Sequence, residues 1–270
     1  MKKYISDWTV KENVCTHSCC LLKLRLDEEE QTIFPDFIPG QFVQVLVENS
    51  PSTFLRRPIS VHFADKSKRE LWLLIQAIGE GTRKLSELKP GEKLNLIYPL
   101  GRGFTVPKKN ENIDLQINSD KKLLLIGGGV GVAPLFYLAC CLLKSGYRPD
   151  FLFGARSKDH FFNIQAFEKI GKLYLTTEDG TCGEKGFVTQ HSILKSTKYD
   201  FVYTCGPKPM MQAVAKYARQ NDIPCEVSLE NTMACGIGVC LCCVEKTKKG
   251  NSCVCTEGPV FNINQLLWQI

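Results

Sequence analysis

The chain has 270 residues, 44% of them apolar and 23% charged, with a formal net charge of +6. That is the make-up of a folded protein too long for one core, and it excludes a disordered or fibrous chain. The basic excess is spread in short pairs such as Lys108-Lys109, Lys121-Lys122 and Lys248-Lys249, which read as solvated surface; no nucleic-acid partner is expected.

The first residues, beginning Met1-Lys2-Lys3, have no apolar stretch behind them like that of a secretory signal. The longest apolar runs, such as 123–126, are far too short to span a bilayer, so a cytoplasmic protein without membrane contact is expected. Disulfide scaffolds are short and secreted, whereas this chain carries 14 cysteines, six of them within 235–255. That concentration points to metal. The scattered Cys15, Cys19, Cys20, Cys140, Cys141, Cys182 and Cys225 are read as small buried hydrophobes.

From residue 4 to about 100 the pattern is strand-like. Leu22, Leu24 and Leu26 alternate with Lys23 and Arg25, and 42–47 is an apolar run rich in β-branched valine and broken only by Gln44. Further runs at 59–63, 71–78 and 93–98 complete the strand set of a small barrel. Within it, Arg57-Pro58-Ile59-Ser60 opens a strand, where an arginine can hold a pyrophosphate by paired hydrogen bonds or simply stand on the surface. Gly79-Glu80-Gly81-Thr82 opens a short helix over 82–88 and reads equally as a phosphate contact or as a turn with a capping threonine.

The apolar rhythm is lost over 105–122, which places a domain boundary there. Strands at 123–126, 151–153, 173–176 and 201–204 then alternate with helices at 134–145 and 207–220, the order of a parallel doubly wound sheet. Gly127-Gly128-Gly129-Val130-Gly131-Val132-Ala133-Pro134 lies at the first strand-to-helix turn. Such a turn lets a pyrophosphate approach the backbone at a helix N-terminus, although its spelling is not the usual dinucleotide fingerprint and a tight structural turn remains open. Cys205-Gly206-Pro207 follows a strand at the carboxyl edge where open sheets bind ligands; a core cysteine is the alternative. The four histidines form no ligand pair and receive no role.

Cys235, Cys240 and Cys243 have the C-x4-C-x2-C spacing of a ferredoxin-type [2Fe-2S] cluster, with Cys255 as a fourth thiolate. Gly236 and Gly238 give the backbone the freedom to wrap tightly around such a core. A structural zinc site is the alternative, though zinc knuckles present two C-x2-C pairs and only Cys240 and Cys243 form one. Cys242 and Cys253 read as bystanders.

In this order the motifs resemble the ferredoxin-NADP reductase family, with R-P-x-S and G-x-G-T in a flavin barrel and G-G-G-x-G-x-x-P and C-G-P in a nicotinamide domain. The ending M-A-C-G-I-G-V-C-L-C-C to V-C-T-E-G-P-V-F narrows the likeness to electron-transfer subunits of heteromeric NAD-dependent dihydroorotate dehydrogenases. The resemblance implies a β-barrel FAD domain (1–104), a linker (105–122), an α/β parallel-sheet nicotinamide domain (123–228) and a small C-terminal [2Fe-2S] cysteine module (229–270). It implies FAD on Arg57, Pro58, Ile59, Ser60, Leu74, Ile75, Gln76, Gly81 and Thr82, and a cluster on Cys235, Cys240, Cys243 and Cys255. Gly129, Gly131 and Cys205 would flank NAD.

By the same resemblance an FMN-containing catalytic subunit, two copies of each chain, would oxidise dihydroorotate in pyrimidine biosynthesis. Electrons would then leave through this chain to NAD. The subunit of a sulfide dehydrogenase or of a ferredoxin-linked NAD(P)H oxidoreductase would use the same parts. A zinc-bearing interaction module is the reading outside enzymes.

Overall fold

The computed structural model describes residues 2–16, 19–27, 33–107 and 121–268. The N-terminal part contains β1 (Tyr4–Cys15), β2 (Cys19–Arg25), β3 (Phe42–Val45), β4 (Arg57–Asp65), β5 (Glu70–Gln76), α1 (Glu80–Ser86) and β6 (Lys93–Leu100). The strands close into a barrel in the order β1-β2-β5-β4-β3-β6, with antiparallel β1 and β6 sealing it. Its interior is what the alternation predicts. Leu22, Leu24 and Leu26 are fully buried beside Trp8, Val43, Val45 and Leu73, while Lys23 and Arg25 point outward. Most of the expected linker, residues 108–120, lies outside the described residues, as does His17.

The second part contains β7 (Leu123–Gly128), α2 (Ala133–Lys144), β8 (Asp150–Ala155), α3 (Ile164–Glu168), β9 (Leu173–Thr177) and β10 (Glu184–Lys185). There follow α4 (Ile193–Ser196), β11 (Phe201–Cys205), α5 (Lys208–Gln220) and β12 (Cys225–Ser228). In α2, Leu135, Leu138 and Leu142 share the buried face. Met211, Val214, Ala215 and Ala218 do the same in α5.

The cysteine segment holds β13 (Val244–Thr247), β14 (Gly250–Cys253), α6 (Val254–Glu257) and β15 (Val260–Asn262). This segment is tied into the domain before it. β15 joins the main sheet, whose order is β10-β9-β8-β7-β11-β12-β15, and is antiparallel to β12 where the other pairings are parallel. Phe261, Ile263, Leu266 and Trp268 sink into the core beneath α5, and Arg219 donates to the carbonyls of Ile263, Leu266 and Trp268. The end of the segment is thus anchored by ordinary packing.

The scattered cysteines differ from expectation. Cys19 and Cys225 are buried, but Cys15 and Cys20 form a disulfide. They are direct cross-strand partners at the end of the β1–β2 hairpin, where facing side chains meet. Cys140, Cys141 and Cys182 are only half-buried. The helical period of α2 turns Cys140 and Cys141 away from the stripe formed by Leu135, Leu138 and Leu142.

Barrel and sheet meet at His62. Its Nδ1 lies 2.8 Å from the Ala133 carbonyl oxygen and its ring stacks on Phe136 at 4.8 Å between centroids. Burial depresses its pKa to about 4, against the smaller opposing effect of the Ala133 hydrogen bond. Folding therefore favours the neutral ring. The contribution is complete above the unfolded value near 6.5 and is lost as pH falls from there toward 4. Between pH 7 and pH 5 this one group removes about 2 kcal/mol of stability. Urea unfolding at the two pH values is expected to show that loss in the parent and a flatter dependence in His62→Leu.

Candidate electron-transfer site

Several chain segments converge on a cleft of about 280 Å³. β4 contributes Pro58, Ile59 and Ser60, β5 contributes Leu74, Ile75 and Gln76 at its end, and α1 contributes Thr82. The opposite wall holds Val130 from the turn after β7, Ala133 at the start of α2, Ser228 at the end of β12, and Leu229, Glu230, Asn231 and Met233 beyond it. The residues selected from the two barrel motifs thus face the nicotinamide-domain turn across one space.

Arg57 and Gly81 lie just outside that lining, packed on each other. A Cβ on Gly81 would stand 3.2 Å from Arg57 Nε and 3.0 Å from Thr53 Cγ2, so a side chain there would displace the arginine. Arg57 Nη1 donates to the Leu55 carbonyl, and the hydroxyls of Ser50 and Ser52 donate to Glu80. These bonds pin the loop before β4 to the start of α1. The Thr82 hydroxyl caps its own helix, accepting from the Gly79 N–H and donating to the Gly79 carbonyl.

The glycine-rich turn is a short 3-10 segment, Gly129–Val132, between β7 and α2. Gly129 has φ of +54° and open space where a side chain would be, so its backbone is bare toward solvent. Gly131 is closed in: a Cβ there would lie 2.5 Å from the Cys205 carbonyl oxygen and 2.6 Å from Gly206 Cα. The two turns at the carboxyl edges of β7 and β11 therefore touch backbone to backbone, and Cys205 pairs in register with Gly127.

Cys205 is buried with Sγ 3.6 Å from Glu230 Oε1. Burial, reinforced by the Glu230 charge, pushes the thiol well above its ordinary range. Glu230 opens onto the cleft, yet the protein packed around its carboxyl raises its pKa, with the Cys205 hydrogen bond opposing. In both groups burial disfavours the charged form.

The cysteine loop begins two residues beyond Met233. Gly236, Gly238 and Leu241 all take left-handed conformations, with φ of 70°, 90° and 58°. The sulfurs fall into two pairs. Cys235 Sγ accepts from the backbone N–H groups of Ile237 at 3.5 Å and Cys240 at 3.4 Å and interacts with the Cys240 side chain. Burial raises the Cys235 thiol, but these donors together outweigh it and hold the pKa below the ordinary value. Deeper, Cys243 Sγ accepts from the Cys255 N–H at 3.4 Å, and Cys255 is pushed up to about 12 by burial and then by Cys243.

Among the described residues no three metal-binding side chains close on a single ion position. Two thiol pairs, with backbone N–H groups already aimed at sulfur, fit a two-iron core better than one tetrahedral ion. Cys242 is exposed, and Cys253 is half-buried on β14 opposite Val244.

Comparison with known proteins bears on this arrangement. Residues 230–267 match the family described as the iron-sulfur cluster binding domain of dihydroorotate dehydrogenase B, and 125–216 match the oxidoreductase NAD-binding domain. The electron transfer subunit of dihydroorotate dehydrogenase B (NAD(+)) from Fusobacterium nucleatum is 36% identical, over 95% of this chain and 96% of that protein. The chain belongs to the family of dihydroorotate dehydrogenase B electron transfer subunits. The subunit from Bacillus mycoides is 38% identical over 85% of this chain and 86% of its own length.

A solved NADH-dependent reduced ferredoxin-NADP oxidoreductase superposes with a TM-score of 0.81 at 25% identity, covering 97% of this chain and 90% of that one. The ferredoxin reductase of carbazole 1,9a-dioxygenase, at 21% identity and a TM-score of 0.66, covers 83% and 68% and shares the fold. Among the described residues of this family member no helix is long and apolar enough to cross a membrane.

Glu230 escaped the sequence reading. It stands alone between β12 and the cysteine run, and only the register that ends β11 and β12 side by side brings it to Cys205. An acidic residue just past a strand at the carboxyl edge is the signal that could have found it.

Proposed function

We propose that this chain carries electrons from a dihydroorotate-oxidising partner subunit to NAD, with FAD in the cleft and a [2Fe-2S] cluster on Cys235, Cys240, Cys243 and Cys255. A flavin exchanges electron pairs with a nicotinamide and single electrons with an iron-sulfur cluster, which is the chemistry these groups supply when bound. The observation that carries the reading is the position of Met233. It lines the cleft, and the cysteine loop leaves from it.

The residues divide the work. Arg57, beside Gly81 and Thr82, binds the flavin pyrophosphate. Pro58, Ile59 and Ser60, with Leu74, Ile75 and Gln76, form the wall against the flavin ring. Gly129 lets the nicotinamide nucleotide approach the backbone, Gly131 lets the turns after β7 and β11 meet beneath it, and Cys205 with Glu230 holds a proton beside it. The unit boundaries are 1–104, 105–122, 123–228 and 229–270. The partner is an FMN-containing catalytic subunit, two copies of each chain, working in the cytoplasm in pyrimidine biosynthesis.

The decisive experiment purifies the native complex and assays dihydroorotate-dependent reduction of NAD. Orotate and NADH formed together support the reading, and the isolated chain is expected to oxidise NADH with dye acceptors while forming no orotate. An intact flavin and iron complex without dihydroorotate activity would move the chain to a ferredoxin-linked NAD(P)H oxidoreductase, the reading favoured by the 0.81 superposition.

Glu230→Gln removes the carboxylate that faces the Cys205 thiol. We expect NADH oxidation by dye to slow roughly 100-fold, the low end of what a positioned proton-transferring group contributes, at unchanged flavin content. Stopped-flow reduction of the bound flavin by NADH measures this.

A further inference from the structure

Gln44 is the polar residue that interrupts the apolar run of β3, and it is fully buried. Neither Nε2 nor Oε1 has a hydrogen-bond partner. Burial of an unpaired amide is costly, and methionine would fill a similar volume without that cost. The polypeptide by itself leaves the group unsatisfied.

Its surroundings say what is missing. Alternation along β3 turns Val43 and Val45 into the barrel and leaves Phe42 and Gln44 on the outer face. Phe42 lines the flavin cleft, as does Pro58, the cross-strand partner of Gln44. On its other side the Gln44 amide lies against the cysteine loop. A Cβ on Gly236 would be 2.5 Å from both Cγ and Nε2 of Gln44, so Gly236 is bare because the glutamine occupies that space. Nε2 therefore abuts the residue next to Cys235, between the proposed flavin and the proposed cluster.

We propose that Gln44 Nε2 donates an N–H···S hydrogen bond to the sulfur shell of the [2Fe-2S] cluster at Cys235 and thereby raises its reduction potential. This rests on the cluster assignment above. A donor to sulfur stabilises the more negative, reduced state and so favours uptake of the electron. The same contact fixes the spacing between the barrel wall and the cysteine loop. Gln44 is a positioning residue and has no part in the nicotinamide chemistry.

Gln44→Met keeps length and burial and removes the donor. In holo-protein, an EPR-monitored redox titration is expected to show cluster reduction disfavoured about tenfold, a fall of about 59 mV for a one-electron couple. The flavin potential and iron content are expected to stay at their parent values. An unchanged cluster potential at full iron content would overturn the proposal.

If the variant assembles no cluster, the parent protein decides. With glutamine labelled with 15N at the side-chain amide, pulsed EPR of the reduced cluster is expected to show a 15N coupling. A reduced cluster without that coupling overturns the Gln44 assignment alone. Intact parent protein with no [2Fe-2S] signal overturns the cluster reading and this proposal together.

Discussion

Replacement of Cys255 by serine is expected to strip iron from the protein and abolish dihydroorotate-dependent reduction of NAD, while NADH oxidation by dye stays within about twofold of the parent. Cys255 is buried and its backbone N–H already points at Cys243 Sγ, so a hydroxyl there leaves the inner pair with one thiolate. Loss of a direct ligand is expected to exceed the roughly 10- to 100-fold loss of metal affinity that follows removal of an outer hydrogen-bond partner. Cys253→Ser is the control, since Cys253 is on β14 two residues before Cys255 and belongs to neither pair. Iron content and the visible spectrum of the two variants check this; equal iron loss from both would reassign the fourth ligand.

Gly131→Ala is expected to lower stability by about 1–3 kcal/mol, the usual cost of forcing an atom into a filled space, and to depress NADH oxidation more than tenfold. The added carbon meets the Cys205 carbonyl and Gly206 Cα, backbone atoms that cannot rotate aside. The turns at β7 and β11 must then separate, moving Cys205 relative to Glu230. Gly129→Ala is the contrasting case. Nothing lies within 4 Å of its Cβ position, so its cost is the left-handed conformation alone, about 1–2 kcal/mol. Thermal unfolding and flavin reduction by NADH separate the two, with the larger kinetic loss expected for Gly131→Ala.

Signals repeated along the chain were the legible ones. The alternation of Leu22, Leu24 and Leu26 marks a barrel wall because a strand has a period of two, and the stripe of Leu135, Leu138 and Leu142 marks a helix because its period is 3.6. The barrel motifs were legible as a group, and the fold sets Pro58, Ile59, Ser60, Leu74, Ile75, Gln76 and Thr82 on one cleft. Features that depend on strand neighbours were hidden. The Cys15–Cys20 disulfide needs the hairpin register, and β15 is three residues long, too short to show any period. Glu230 and Gln44 matter through what another segment brings beside them, which no local pattern records.

The departure point and return point of the cysteine loop are partners: Ser228 pairs with Val260 in the sheet. The loop is an excursion with a closed neck, and backbone hydrogen bonds hold that neck whether or not iron is bound. The entropy of bringing the loop ends together is met by the sheet, leaving the metal only the ordering of a short stretch. A chain so built is expected to fold before its cluster is inserted, with the neck formed in the iron-free protein. Iron and sulfide added to the cluster-free protein under reducing conditions are then expected to restore the visible spectrum without an unfolding step.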